Sequence, residues 1–384
     1  MNARLLAAAR FGLPLAAVVW WFAPIVRRMT DVGDFPAHAR FAQQIADGTL
    51  TIPHFGYQLL VIGAHALVPG LDWRGAGAVV TIAAIAAAAG ILARWVGTAL
   101  SDAPPSWQLA AAAAVPLALL IAQPVLGPGA LPRDPWLIGS FPPNQMHNPT
   151  TILSKAPALV LCGFGARALF GRTAGAATVA ACALLALMAG LIKPSYLMAL
   201  LPAVGLIALA RARRVDWRLV ICGLALPAAL QLAAQYLFYY RLGTTGQTVL
   251  FAPLTVIGLH SPVDVLTLGW KLIASILFPL AVAAAFPAVW SDGRVRLAWA
   301  AFGAGAAWGY LFAEGGGQAD AGNFLWSGQL AAFVLFAATA PALLARVAAE
   351  PRAAGVRARA ACCATVLAWH VVSGVRHLHA SWYA

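Results

Sequence analysis

Phe55-Gly-Tyr-Gln-Leu-Leu-Val-Ile-Gly-Ala-His-Ala-Leu-Val68 is the run on which the topology of this chain turns. It is as apolar as a membrane helix but has only 14 residues, and crossing the hydrocarbon core takes about 20. Read as a span, it would reverse every later helix and carry the densest arginine clusters outside, against the positive-inside rule. It is therefore an interfacial segment, entered through Pro53-His54 and closed by Pro69-Gly70-Leu71-Asp72.

Composition supports the same frame. With 62% hydrophobic and 10% charged residues over 384 positions, the chain reads as an all-α integral membrane protein rather than a soluble one. The formal charge of +13 is nearly all arginine, gathered in short gaps between apolar runs. That pattern marks cytoplasmic loops, which also attract anionic headgroups of membrane lipids. No basic face lies away from the membrane ends, so nucleic acid is not an expected partner. The cysteines (Cys162, Cys182, Cys222, Cys362 and Cys363) fall inside apolar runs, without metal-ligand or disulfide spacing, and read as small core residues.

In order, spans are predicted over about Leu5–Val26, Ala76–Ala93, Trp107–Leu126, Thr151–Phe170 and Ala174–Leu191. A sixth falls to Arg211 and a seventh rises to an outer loop around Arg241–Asp264. Leu266–Trp290 follows, then a ninth rising to Glu314–Phe324, a tenth falling to Arg346 and a short last one over Ala360–Val375. The count is about eleven, in a single polytopic membrane domain (residues 1–384) with the N-terminus cytoplasmic. No cleavage site follows the first run, which reads as an uncleaved helix. A bacterial-type inner (plasma) membrane is the expected location.

The first outer loop carries Thr30-Asp-Val-Gly-Asp-Phe-Pro-Ala-His-Ala-Arg-Phe-Ala-Gln-Gln-Ile-Ala-Asp-Gly48, where Asp31, Asp34 and Asp47 concentrate scarce carboxylates around His38. Phe35, Phe41, Ala42 and Ile45 recur near helical spacing, which predicts a short amphipathic helix on the membrane surface. Its plain reading makes Asp34 a helix cap. Other outer polar groups are His54, then Asp134, Asn144, His147 and Asn148, then Lys155 and Lys193, then Glu314, Asp320 and Asn323. Lys155 and Lys193 are two of only three lysines, and their plain reading is snorkelling to the interface. Pro142-Pro-Asn-Gln-Met-His-Asn-Pro149 is either an ordinary helix start capped by Asn148 or Thr150, or an anion site on free N–H groups. Glu314-Gly-Gly-Gly-Gln318 reads first as a flexible loop and second as a backbone cradle. His65 and His370 read as packed residues; His260, His377 and His379 as surface groups.

Asp34-Phe-Pro-Ala-His-Ala-Arg-Phe-Ala42 is similar to the first outer loop of the GT-C superfamily, the polytopic glycosyltransferases that use lipid-phosphate-linked sugars. His38 replaces the usual Tyr, and Phe35 stands where many members have Glu. Pro53-His-Phe-Gly-Tyr-Gln-Leu-Leu60 resembles the interfacial segment that follows. Arg133-Asp134 matches the second outer-loop Asp, and Lys193-Pro194-Ser195 resembles the Lys-Gly-Pro turn. The likeness covers residues 1–215 in order; residues 216–384 read as additional transmembrane helices and lack the soluble outer domain of some members.

The resemblance implies transfer of a sugar from a polyprenyl-phosphate donor to an acceptor hydroxyl on the outer face, with inversion; no motif identifies the acceptor. Asp34 would be the general base, supported by Asp31 or Asp134. Lys193, Lys155, His147 and the start of the fourth helix would receive the departing phosphate. His38, His54, Asn144, Asn148, Glu314 and Asn323 complete the expected substrate-binding set. Segments 35–47 and 55–68 would form a lip for the lipid tail. Some relatives need a divalent cation, which Asp31, Asp34 and Asp134 could bind. The rival readings are a secondary transporter or flippase of lipid-linked saccharides, and a non-catalytic assembly subunit; carboxylates near the membrane faces rather than the midplane count against transport.

Overall fold

A computed structural model describes residues 3–126, 137–171, 173–241 and 248–382. Asp134, with Arg133, and most of the tip of the third outer loop lie outside them. The chain is overwhelmingly helical: α1 Ala3–Met29, α2 Phe35–Ala46, α3 Gly56–Leu67, α4 Trp73–Ala99, α5 Pro105–Ile121, α6 Pro149–Phe170, α7 Ala176–Ile192 and α8 Ser195–Ala210. Then follow α9 Leu219–Tyr240, which begins and ends in π-helical turns, β1 Thr248–Phe251, α10 Thr255–His260 and α11 Val265–Ala285. Gly293–Leu311 (α12), Phe312–Gly315 (β2), Leu325–Ala349 (α13) and Ala354–Trp382 (α14) complete the chain. β1 and β2 pair antiparallel, with Val249 opposite Glu314.

Among the described residues, six helices are long and apolar enough to cross a membrane: α4, α6, α9, α11, α13 and α14. Large apolar side chains stand fully outward, such as Trp20 at 76%, Leu209 at 74% and Leu266 at 85% exposure, as expected where lipid is the solvent. This is an α-helical multi-pass membrane protein. Not every cysteine is a core residue: Cys222 and Cys362 are exposed.

The axis of the bundle is α13, buried along almost every residue from Leu325 to Leu343 and touched by α4, α5, α6, α8, α11, α12 and α14. Small residues make that crowding possible, because helices lacking a hydrophobic drive between them rely on close backbone approach. A Cβ on Gly305 of α12 would lie 2.7 Å from Ser327 O and 2.8 Å from Gly328 N of α13.

The fold's unusual part is buried backbone that is not helical. The expected helix Trp107–Leu126 stops at Ile121, because Pro124 has no N–H to give and disfavours helix in Gln123 before it. Residues 122–126 and 137–148 then run inside the bundle, which is tolerable only where protein satisfies their polar groups. Gln123 N–H donates to His370 O at 3.0 Å, Val125 N–H to Ala274 O at 3.0 Å, and Phe141 N–H to Ser275 Oγ at 2.9 Å. His370 Nδ1 donates to Gln123 O at 2.6 Å, and its Nε2 accepts from Phe278 N–H at 3.2 Å. Those two partners fix one tautomer. They also account for the kink at Ile276: Pro279 opens α11 there, freeing Ala274 O and Phe278 N–H for this segment. The expected Leu266–Trp290 helix ends at Ala285, and Pro287 begins a separate turn of 3-10 helix.

A group of arginines shares one end of the bundle, whereas Arg27 and Arg28 close α1, Arg74 pairs with Asp31 and Lys193 lies at the cavity. Arg211 and Arg296 both stack on Phe170, Arg294 on Trp95, Arg346 donates to Ala288 O and Arg359 to Ala285 O. Replacing Gly305 by Val is expected to destabilise the bundle by about 1–3 kcal/mol through overpacking, read as a lower thermal midpoint in detergent. A change at Gly303, whose Cβ would meet nothing, should leave the midpoint in place.

Candidate functional site

At the end opposite the arginines, a cavity of about 1020 Å³ gathers residues from distant parts of the chain. Asp34 and His38 come from α2 and its edge, His54 from the stretch before α3, His147 and Asn148 from the loop before α6, and Lys193 from the α7–α8 turn. Across from them stand Tyr239 and Tyr240 of α9, Glu314 of β2, and Asp320 and Asn323 beyond it.

Asp34 occupies the N-cap position of α2 yet makes no capping bond with its side chain. Its backbone is already helical, at φ −84 and ψ −10, and Pro36 removes one of the amides a cap would serve. The carboxylate accepts instead from Asn148 Nδ2 at 2.7 Å, while Asp34 N–H donates to His147 O at 3.1 Å. Asn148 is the true cap: its Oδ1 accepts from Thr151 N–H at 3.0 Å and from Thr150 Oγ1–H at 2.6 Å. With that oxygen so engaged, the amide can only present its N–H₂ to Asp34. The loop before α6 therefore spends its cap on holding the carboxylate.

Lys193 ends α7 in extended backbone, with its ammonium 4.1 Å from the centre of the Trp326 ring. Burial draws its pKa down to about 8, against the opposing pull of the Asp34 charge. Burial first, and then the charge of Lys193, lower His38 to about 3, His54 to about 4 and His147 to about 3. At neutral pH the Lys193 ammonium thus stands among the neutral imidazoles of His38, His54 and His147. His38 Nδ1 accepts from Gln58 Nε2 at 2.8 Å, which leaves the ring proton on Nε2. On the opposite wall, Glu314 Oε1 accepts from Tyr240 O–H at 2.7 Å and Oε2 from Asn323 Nδ2.

Three other expected residues are placed elsewhere, and a fourth lies outside the described residues. Asp31 is exposed and ion-paired to Arg74 at 2.6 Å, away from the cavity lining. Asn144 and Lys155 are buried beneath the cavity floor rather than on it. Lys155 does not snorkel: its Nζ donates to Asn144 Oδ1 at 2.6 Å and sits 5.0 Å from the Phe333 ring. Asn144 Nδ2 in turn donates to Leu119 O and Ala122 O at 2.8 Å each, stitching the end of α5 to the loop. Asp134 is outside the described residues. Among the described residues no three His, Cys, Asp or Glu side chains converge on a point; of the three carboxylates expected to bind a cation, Asp34 lines the cavity, Asp31 does not, and Asp134 lies outside the described residues.

The lining also holds residues that carry no sequence motif. Gln235, Tyr236, Trp308 and Trp326 join it, and Gln58 supports it from below. His260 is exposed, as expected, and also lines the cavity, whereas His377, expected at the surface, is buried at 3% exposure.

A lysine depressed to about 8 carries its charge below that pH and loses it above. Affinity for a phosphodiester lipid analogue, whose own charge is constant, is expected to weaken about tenfold between pH 7 and pH 9.5. Lys193→Met should bind weakly and without that pH dependence; titration of binding in detergent checks both.

No protein-family model matches this chain, and no curated protein and no solved structure is detectably similar to it.

Proposed function

We propose that the chain is a GT-C-like membrane glycosyltransferase, moving a sugar from a polyprenyl-phosphate donor to an acceptor hydroxyl. The observation that carries this reading is the pairing of Asp34, oriented by Asn148, with the ammonium of Lys193 in one cavity. A base for an incoming hydroxyl and a cation for a leaving phosphate are what the reaction needs.

In this reading the acceptor O–H gives its proton to the Asp34 carboxylate oxygen as the acceptor oxygen bonds to the anomeric carbon. The anomeric carbon–oxygen bond to phosphate breaks, and its electron pair leaves on the phosphate, where Lys193 meets the negative charge. Asn148 keeps the carboxylate facing the acceptor. Neutral His147 and His54 add hydrogen-bonding groups without charge.

The shape of the cavity supports a lipid-borne donor. Met198, Leu201 and Pro202 of α8 and Leu232 of α9 line one side. α8 packs on α12 and α13, α9 packs on α7, and both helices contribute to the cavity lining. We take this apolar side as a way in for a prenyl tail from the bilayer, beside the lip expected from segments 35–47 and 55–68, of which Ala37, His38 and Phe41 line the cavity. α2 and α3 pack on α4, and Gly56 abuts Ile192.

The topology is part of the proposal. Helices stand at all eleven expected places, α1, α4 to α9 and α11 to α14, and we read each as a span. The arginine end then faces the cytoplasm by the positive-inside rule, and the cavity faces outward from a plasma membrane.

The test is sugar release from polyprenyl-phosphate monosaccharides by purified protein, with membrane extract as acceptor source. Asp34→Asn is expected to lose about a hundredfold or more, Asn148→Ala about tenfold, and Asp31→Asn little. Turnover that survives Asp34→Asn contradicts the assigned base. Transmembrane movement of lipid-linked saccharide without sugar release favours the flippase instead.

A further inference from the structure

The chain is strongly basic, but its cavity is not. Three carboxylates (Asp34, Glu314 and Asp320) and one ammonium (Lys193) line it, with no arginine among the described lining residues. The three histidines whose pKa values are lowered are neutral there, so they do not redress the balance. Lys193 feels the charge of Asp34, and neither Glu314 nor Asp320 stands in a described ion pair.

Glu314 is also held in place. Tyr240 and Asn323 each donate to one of its oxygens. Both donors are neutral, so they fix the carboxylate and leave its charge standing, and each oxygen retains a further lone pair. Three tyrosines line the same cavity: Tyr236 and Tyr240 lie 5.4 Å apart, and Tyr239 stacks on His54 at 5.9 Å. Ring faces and a carboxylate attract the same thing, a positive charge.

We infer that the Glu314 end of the cavity binds a protonated amino group, carried either by the transferred sugar or by the acceptor. The ammonium donates to Glu314 among the tyrosines that line this part of the cavity. A neutral sugar would gain hydrogen bonds here but would leave the carboxylate's charge unanswered. A divalent metal would want several converging anionic or imidazole ligands, and no such group converges among the described residues.

The inference rests on the cavity being the transfer site, and a binding experiment without turnover separates the two. Purified full-length protein in nanodiscs is titrated by calorimetry with glucosamine, ethanolamine, glucose, N-acetylglucosamine and Mg²⁺. Glucosamine or ethanolamine is expected to bind at least about tenfold more tightly than glucose or N-acetylglucosamine. Preference for glucosamine assigns the amine to a sugar, and preference for ethanolamine assigns it to an acceptor headgroup. Glu314→Gln should erase the preference, while Tyr240→Phe, which keeps the charge, should retain most of it. If Glu314→Gln does not fold, the wild-type selectivity and Tyr240→Phe decide. Equal affinity for glucosamine and glucose, including no binding of either, overturns the inference, as does a preference unchanged in Glu314→Gln or tighter binding of Mg²⁺ than of any amine. Asp34-dependent transfer of neutral sugars without amine preference would remove this inference and keep the glycosyltransferase.

Discussion

The side-chain amide of Asn148 joins two requirements that cannot be met separately. Its oxygen closes the first turn of α6, and its nitrogen must then face Asp34. The bond ties the N-terminal edge of a surface helix to the N-terminus of a core helix more than 100 residues later. Asp34 is therefore a carboxylate with one oxygen committed to orientation and the other open to the cavity. A plain helix cap would have had its charge absorbed by its own backbone.

That joint depends in turn on buried, irregular backbone. Residues 122–125 and 139–150 are all buried, and hydrogen bonds with α6, α11, α12 and α14 keep such segments stable inside an apolar bundle. The kink of α11, the tautomer of His370 and the inward turn of Lys155 are consequences of satisfying them. Lys155 and Asn144 belong to this scaffold: they tie the end of α5 to the loop that carries His147 and Asn148. The site is thus supported from beneath by polar groups that never line it.

Much of this was legible from the sequence for a simple reason: apolar runs are separated by arginines and prolines, and both mark helix ends. The short runs at 35–46 and 56–67 were readable as non-spanning helices from length and charge alone. Asp34, His38, His54, His147, Asn148, Lys193, Glu314 and Asn323 were selected as outer polar groups, and the fold collects them in one cavity. Lys155 was not legible, because a lysine one turn into a helix looks the same whether it snorkels outward or is drawn in by an Asn eleven residues earlier. Tyr239, Tyr240 and Trp308 were missed because aromatics at the ends of apolar runs usually mark the membrane interface. Asp31 resembled Asp34 in sequence but is claimed by Arg74, a partner 43 residues away.

The central claim is that one cavity presents Asp34 to the acceptor and Lys193 to a lipid phosphate. The most direct measurement is a cryo-electron microscopy structure of the protein with a non-hydrolysable polyprenyl-phosphate sugar analogue. The account predicts the phosphate within about 3–4 Å of Lys193 Nζ, the tail leaving between α8 and α9, and the sugar directed toward Asp34. A phosphate seated elsewhere, or a sugar that cannot approach Asp34, would contradict it.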